Sequence, residues 1–261
     1  KKLKTRTLEL HLTAISQWHK TQGLTDPVNT PLIKKTLSGI KRIHGKPKVK
    51  AKALRLEYIS TMLKYLIGLP DSNKKFRDIA LLLINFFGAL RRSELVAIQY
   101  SDLIWEPEGL IIHINRSKTD QEGEGISRVI PYGEQPVCAV SALKTWIERA
   151  NITNGPIFRP INRWDHIKNK SINPGAINEF LKNLGQSCSF DFASELSSHS
   201  FRRGLSTSAA RENIDFDLIK KQGGWKTDST VRGYIEEGQQ FDNNATIILM
   251  QKISELIKTN Y

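Results

Sequence analysis

The chain has 261 residues, with 39 Lys and Arg against 26 Asp and Glu, a formal net charge of +13. That length suffices for a large domain with a buried core and a smaller companion. No apolar run approaches the roughly 18 residues of a membrane span, the start KKLKTRTLELHL lacks a signal-peptide core, and Cys138 and Cys188 stand alone, without the spacing of a disulfide framework or zinc site.

The charge is unevenly placed. Residues 1–56 carry 14 basic side chains and only two acids, Glu9 and Asp26, which leaves 25 basic against 24 acidic for the remainder. A strongly basic front joined to a nearly neutral body points to a polyanion, nucleic acid or an acidic membrane surface. Within the front, Leu8, Leu12 and Ile15, with Trp18 beside them, follow a helical period over residues 7–20. Thr30-Pro31 then offers an N-cap followed by Pro at the first helical position, opening a second helix with Ile33, Leu37 and Ile40 on one face and Lys34, Lys35, Lys41 and Arg42 elsewhere. The stretch GKPKVKAK, with Lys46, Lys48, Lys50 and Lys52, reads as an exposed basic linker.

The body opens with a helix over 57–67, closed by Gly68-Leu69-Pro70. Asp71 or Ser72 can cap the next helix, where Phe76, Ile79, Leu83, Phe86 and Leu90 form a wide apolar stripe and predict a core element. Arg91, Arg92, Ser93 and Glu94 follow it directly. Residues 110–114 and 127–130 are short β-branched runs around a Gly-bearing turn and predict a hairpin in a small sheet packed on helices. Helices resume over 137–150 and 176–184, and an apolar-faced helix with Ile248, Leu249, Ile253 and Leu256 ends the chain. The expected class is mainly α with a small antiparallel sheet.

Between Ser198 and Tyr234 the chain places His199 and Arg202 three residues apart in a predicted helix, then Gly223-Gly224-Trp225, then Tyr234 nine residues past the tryptophan. With Gly88-Ala89-Leu90-Arg91-Arg92-Ser93-Glu94-Leu95 and Arg116-Ser117-Lys118-Thr119, these make five pieces in order. On them the chain resembles the tyrosine site-specific recombinases, the phage integrase family, with the Cre-like branch nearest. The resemblance covers roughly residues 56–240, and the front helices resemble part of that family's helical core-binding domain.

The resemblance implies a catalytic set of Arg91, Lys118, His199, Arg202, Trp225 and Tyr234, with Glu94 in support. The chemistry suits those residue types. Two guanidinium forks neutralise a phosphodiester transition state, an imidazole assists a phenol nucleophile, and a mobile ammonium protonates the departing oxygen. No metal or other cofactor is implied. Contacts with double-stranded DNA fall to Lys34, Lys35, Lys41, Arg42, Lys46, Lys48, Lys50, Lys52, Arg92 and Arg203, in a basic clamp. Arg159, Arg163 and His166 read as ordinary loop charges.

The expected organisation is a partial core-binding domain at 1–46, a linker at 47–55, a catalytic domain at 56–241 and a tail helix at 242–261 for contact between protomers, with a dimer per site and a tetramer in synapsis. A mobile-element recombinase, cytoplasmic and nucleoid-associated, from a bacterium or phage, is the expectation. The rival readings are a type IB topoisomerase and an inert DNA-binding protein of the same fold. The chain has no Met at position 1, and a fragment of a longer protein is expected.

Overall fold

A computed structural model describes residues 3–46, 51–114, 125–239 and 245–258. The chain divides into two compact units, Lys1–Lys50 and Ala51–Tyr261.

The first unit consists of α1, Thr5–Thr21, and α2, Pro31–His44, joined by a turn in which Asp26 accepts from the Val28 backbone N–H. Thr30 caps α2 through its hydroxyl, which accepts from Ile33 N, and Pro31 follows at the first helical position as its fixed φ allows. Ile33, Leu37 and Ile40 are half-buried while Lys34, Lys35, Lys41 and Arg42 are exposed. Neither helix contains a fully buried residue.

The second unit is helical around one small sheet. Its first helix, α3 at Leu56–Ile67, precedes α4 at Asn73–Phe87, and α4 is the core element that its apolar stripe predicts: Leu81, Leu82, Leu83 and Ile84 are fully buried. Ser72 caps α4, its hydroxyl accepting from Lys75 N. A second, distant cap comes from Asp165, whose carboxylate accepts from Asn73 N at 2.6 Å and Lys74 N at 3.0 Å, where the helix has unsatisfied donors. A short helix, α5 at Arg92–Ala97, leads to an antiparallel sheet in the order β1, Leu103–Glu106, β2, Gly109–Ile114, and β3, Ile126–Pro131. The sheet turns Leu110, Ile112, Ile114 and Ile130 to the core.

Further helices follow among the described residues: α6, Ala139–Arg149; α7, Pro174–Ser187; α8, Ser198–Arg211; α9, Phe216–Gly223; and α10, Asp228–Gln239. After them comes α11, Ala245–Lys258, with Ile248, Leu249, Met250 and Ile253 all more than half exposed. Packing of α8 is close. Leu54 N donates to Ser200 O at 3.0 Å, and a Cβ on Gly204 would stand only 1.9 Å from Leu54 O. Leu54 is fully buried, so residues from 51 onward pack with the body, whereas the sequence places the linker as far as 55. No described helix is long and apolar enough to cross a membrane.

Candidate active site

The first half of the site forms where α4 ends. Gly88 N bonds back to Ile84 O, and Ala89 then takes a left-handed φ of 44°, which redirects the chain and its carbonyl. Arg91 follows in extended backbone as the N-cap of α5. Glu94, 2% exposed, reaches back: its carboxylate accepts from Arg91 N at 2.8 Å and from the Arg91 guanidinium at 2.5 Å. Burial pushes the Glu94 carboxyl up, but the Arg91 N–H and guanidinium, with Arg202 beyond, outweigh it and hold the group below the usual carboxylate range.

The second half is carried by α8. Ser197 N donates to Ser200 Oγ at 3.1 Å, which fixes the first turn. His199 lies exposed in that turn, whereas Arg202, three residues on, is 4% exposed. Adjacency at that spacing is as expected. The burial line, however, runs between the two residues, so the imidazole stands at the rim and the guanidinium inside.

Arg202 ties the halves together. One of its terminal nitrogens donates to Ala89 O and the other to Gly223 O at 3.0 Å. Burial is the main force pressing on its proton. The Arg91 charge adds to that, with Arg128 contributing, while Glu94 and Tyr234 oppose, and the guanidinium is pushed down to about 10. It is still a cation at neutral pH.

Gly223 and Gly224 have separate reasons for lacking side chains. Gly224 ends α9 in a left-handed conformation, φ 58°, as glycine after a helix permits. A Cβ on Gly223 would stand 1.6 Å from the Trp225 ring. The turn lays Trp225 beside Arg202, with the guanidinium carbon 4.7 Å from the ring centre, and Trp225 meets the Tyr234 ring edge-on at 5.9 Å. Trp225 packs with Ala210, Ile219 and Val231 in a small cluster against which Tyr234 rests, half-buried.

Arg202, Trp225 and Tyr234 are thus brought together, with Arg91 and Glu94 near enough to act on Arg202 electrostatically. Arg203, assigned by sequence to the DNA surface, is instead buried, with its guanidinium carbon 5.8 Å from the Tyr234 ring centre. Lys34, Lys35, Lys41, Arg42, Lys46, Lys52 and Arg92 are exposed. Of these, Lys41 pairs with Glu9 and Lys52 lies over the Phe192 ring at 5.1 Å. Lys118, Lys48 and Lys50 lie outside the described residues. Arg159 is tied to the carbonyls of Pro156 and Asn154, and Arg163 stacks on Trp164.

One residue near this site was not read from the sequence. Arg128, on β3, is buried and acts electrostatically on Arg202. Its signal was a basic residue in a core-facing slot of an alternating strand. Among the described residues no group of three or more His, Cys, Asp and Glu could hold a metal ion.

A sequence model described as the phage integrase family matches residues 52–240. The chain is 38% identical over 248 residues to an integrase/recombinase xerD homolog of Selenomonas ruminantium, covering 93% of this chain and 71% of that protein. It is 23% identical over 254 residues to recombinase cre of Escherichia phage P1, covering 89% and 71%. Among solved structures, the XerH site-specific recombinase bound to palindromic difH matches with a TM-score of 0.63 at 16% identity, covering 95% of this chain and 73% of that one. The Tn1549 transposon integrase in complex with transposon right end DNA matches with a TM-score of 0.61 at 15% identity, covering 89% and 75%.

Proposed function

The chain belongs to the phage integrase family, and from that premise we propose that it is a site-specific recombinase whose nucleophile is Tyr234. It is an enzyme that cleaves and rejoins DNA strands. The observation that carries the residue assignment is Arg202, held by carbonyls from both halves of the site and stacked beside the Trp225–Tyr234 pair.

In this reading the Tyr234 oxygen attacks the scissile phosphorus and the bond to the 5′-oxygen breaks. The 3′-phosphate remains on the tyrosine and the leaving oxygen takes a proton, from Lys118, to become a 5′-hydroxyl. Arg91 and Arg202 offer paired donors to the nonbridging oxygens as charge builds on them. His199, at the rim, takes part in moving the phenol proton, and the Trp225 indole N–H donates to a phosphate oxygen. The phosphotyrosine keeps the energy of the ester, so attack by a 5′-hydroxyl of the partner strand rejoins DNA without ATP.

The exposed lysines and arginine of α2 and the linker lysines grip the DNA backbone, with an affinity that falls steeply as salt rises. The exposed apolar residues of α11 support docking of the tail onto a second protomer, a dimer on each site and a tetramer when two sites meet. Resolution or movement of a mobile element on bacterial or phage DNA is the setting that the relatives support. A DNA-relaxing enzyme with a similar residue set is not favoured, since the named relatives are recombinases.

A duplex nicked beside the cleavage site tests the assignment, because loss of the short fragment traps the covalent intermediate. Wild-type protein is expected to form a metal-independent protein–DNA adduct, and Tyr234→Phe to bind the same duplex without forming one. An adduct on Tyr234→Phe would remove Tyr234 from its role. Deletion of residues 242–261 tests the tail, and synapsis at the wild-type level would leave it without one.

A further inference from the structure

Arg128 occupies a slot that the β3 alternation reserves for an apolar residue. Ser127 and Val129 face outward and Ile130 faces the core, yet between them stands a guanidinium that is 3% exposed. Its hydrogen bonding is incomplete: one terminal nitrogen donates to Ser127 O at 3.3 Å, the other to Gly223 O at 3.4 Å, and the Nε has no partner. A buried guanidinium with an unmet donor is costly to hold. Its retention here asks for a reason outside the packing of the sheet.

Its partners supply one. The Gly223 carbonyl that receives Arg128 also receives Arg202, so a single oxygen is clasped by two guanidiniums from different elements. The next residue, Gly224, passes so close that a Cβ there would stand 2.1 Å from the Arg128 nitrogen. A second tie runs beside it in the opposite direction: Gln222 Nε2 donates to Val129 O at 3.3 Å and to Phe87 O at 2.6 Å, joining the end of α9 to β3 and to the end of α4. Residues 128 and 129 of the strand therefore hold residues 222 and 223 of the turn.

We propose that Arg128 is a positioning residue for strand cleavage: it pins the Gly223 carbonyl, and through it the Gly223-Gly224-Trp225 turn and Arg202, against β3. The inference rests on the assignment of Tyr234 as nucleophile. Arg128 does not need to touch DNA in this role. It fixes the carbonyl that orients the Arg202 fork and the turn that presents Trp225 to Tyr234. It also adds charge: Arg91, Arg128 and Arg202 gather around one carboxylate, Glu94, an excess that a phosphate would offset.

Three forms of the full chain decide it: wild type, Arg128→Met and Arg128→Lys, each checked for a cooperative melting transition. With the nicked duplex at saturating protein, Arg128→Met is expected to cleave about 100-fold more slowly than wild type, as a misplacement of an ångström in an active site produces. Arg128→Lys, which keeps the charge and a donating head but not the planar fork, is expected to recover about tenfold of that loss. Noncovalent affinity for the duplex stays within a few fold in both. Wild-type cleavage by Arg128→Met overturns the proposal, as does equal loss in both variants, which would mark a purely steric role. Should Arg128→Met lose its melting transition, Arg128→Lys carries the test, and wild-type cleavage by it overturns the proposal. Failure of the wild type to form an adduct overturns the Tyr234 assignment and this inference with it, whereas a normal wild-type adduct with an unaffected Arg128→Met overturns this inference alone.

Discussion

The Arg202 guanidinium lies over the Trp225 indole, its carbon 4.7 Å from the ring centre, so a buried cation of the site is held against a buried ring. The pair spans a hydrogen-bonding group, a turn and an aromatic cluster, and truncating the ring disturbs all three. Trp225→Ala is expected to destabilise the protein by about 3 to 5 kcal/mol through the void it leaves. Trp225→Phe keeps a ring under the guanidinium and is expected to cost only about 1 kcal/mol. Yet it lacks the indole N–H, and its cleavage should slow by roughly 100-fold. Urea unfolding and single-turnover cleavage separate the two losses.

Arg202 also sets an alkaline limit. A guanidinium held down to about 10 is charged below that pH and loses its proton as pH rises through it. At subsaturating DNA, cleavage is expected to fall as pH passes about 10, and the limb should move higher when DNA is saturating, because bound phosphate favours the charged form. For stability the sign is opposite. Folding disfavours the charged form, so the burden Arg202 places on the folded state is full below about 10 and eases as pH rises further. A pH–rate profile taken at two DNA concentrations tests the limb.

Glu94 makes the acid-side counterpart. Its folded-state carboxyl is depressed, so it contributes stability above its unfolded value and loses that contribution as pH falls through the folded one. Glu94→Gln removes the charge that answers Arg91 and should cost about 3 kcal/mol at neutral pH, the scale for breaking a buried pair. The gap between the two proteins is expected to narrow as pH falls below the ordinary carboxylate range and to close as it passes through the depressed folded-state value, where the wild type is protonated too. Chemical denaturation across that range measures the gap.

Gly204→Ala tests the seat of α8. The new Cβ would meet Leu54 O at 1.9 Å, a backbone atom that cannot swing aside. A loss of about 2 to 3 kcal/mol is expected, the scale of overpacking, with a lower melting temperature. Because α8 carries both His199 and Arg202, its displacement should also slow cleavage.

Much of this was legible from local pattern. The periodicity of α4, the Thr30-Pro31 start of α2 and the paired strands β2 and β3 are short-range signals that the fold preserves. What escaped is nonlocal. Nothing near Ala89 announces a left-handed φ, since the conformation answers to a carbonyl that Arg202 must reach. Asp165 has no local signal of its capping role, because the helix it caps begins 92 positions earlier. Arg128 was hidden by its neighbours, since Val129 and Ile130 made the strand look apolar and neither shows that a buried oxygen waits opposite. Arg203 was assigned to the DNA surface because charge alone does not say which way a helix faces.

The hydrogen bond from Arg202 to Ala89 O joins residues 113 positions apart, which has a consequence in time. At the pace of a ribosome, the interval between emergence of Arg91 and of Tyr234 is on the order of ten seconds. Throughout it the growing chain lacks Tyr234. On the proposed assignment, a nascent protein tethered near nucleic acid cannot nick it until Tyr234 is made, and a product cut short by premature termination before that residue cannot nick it at all.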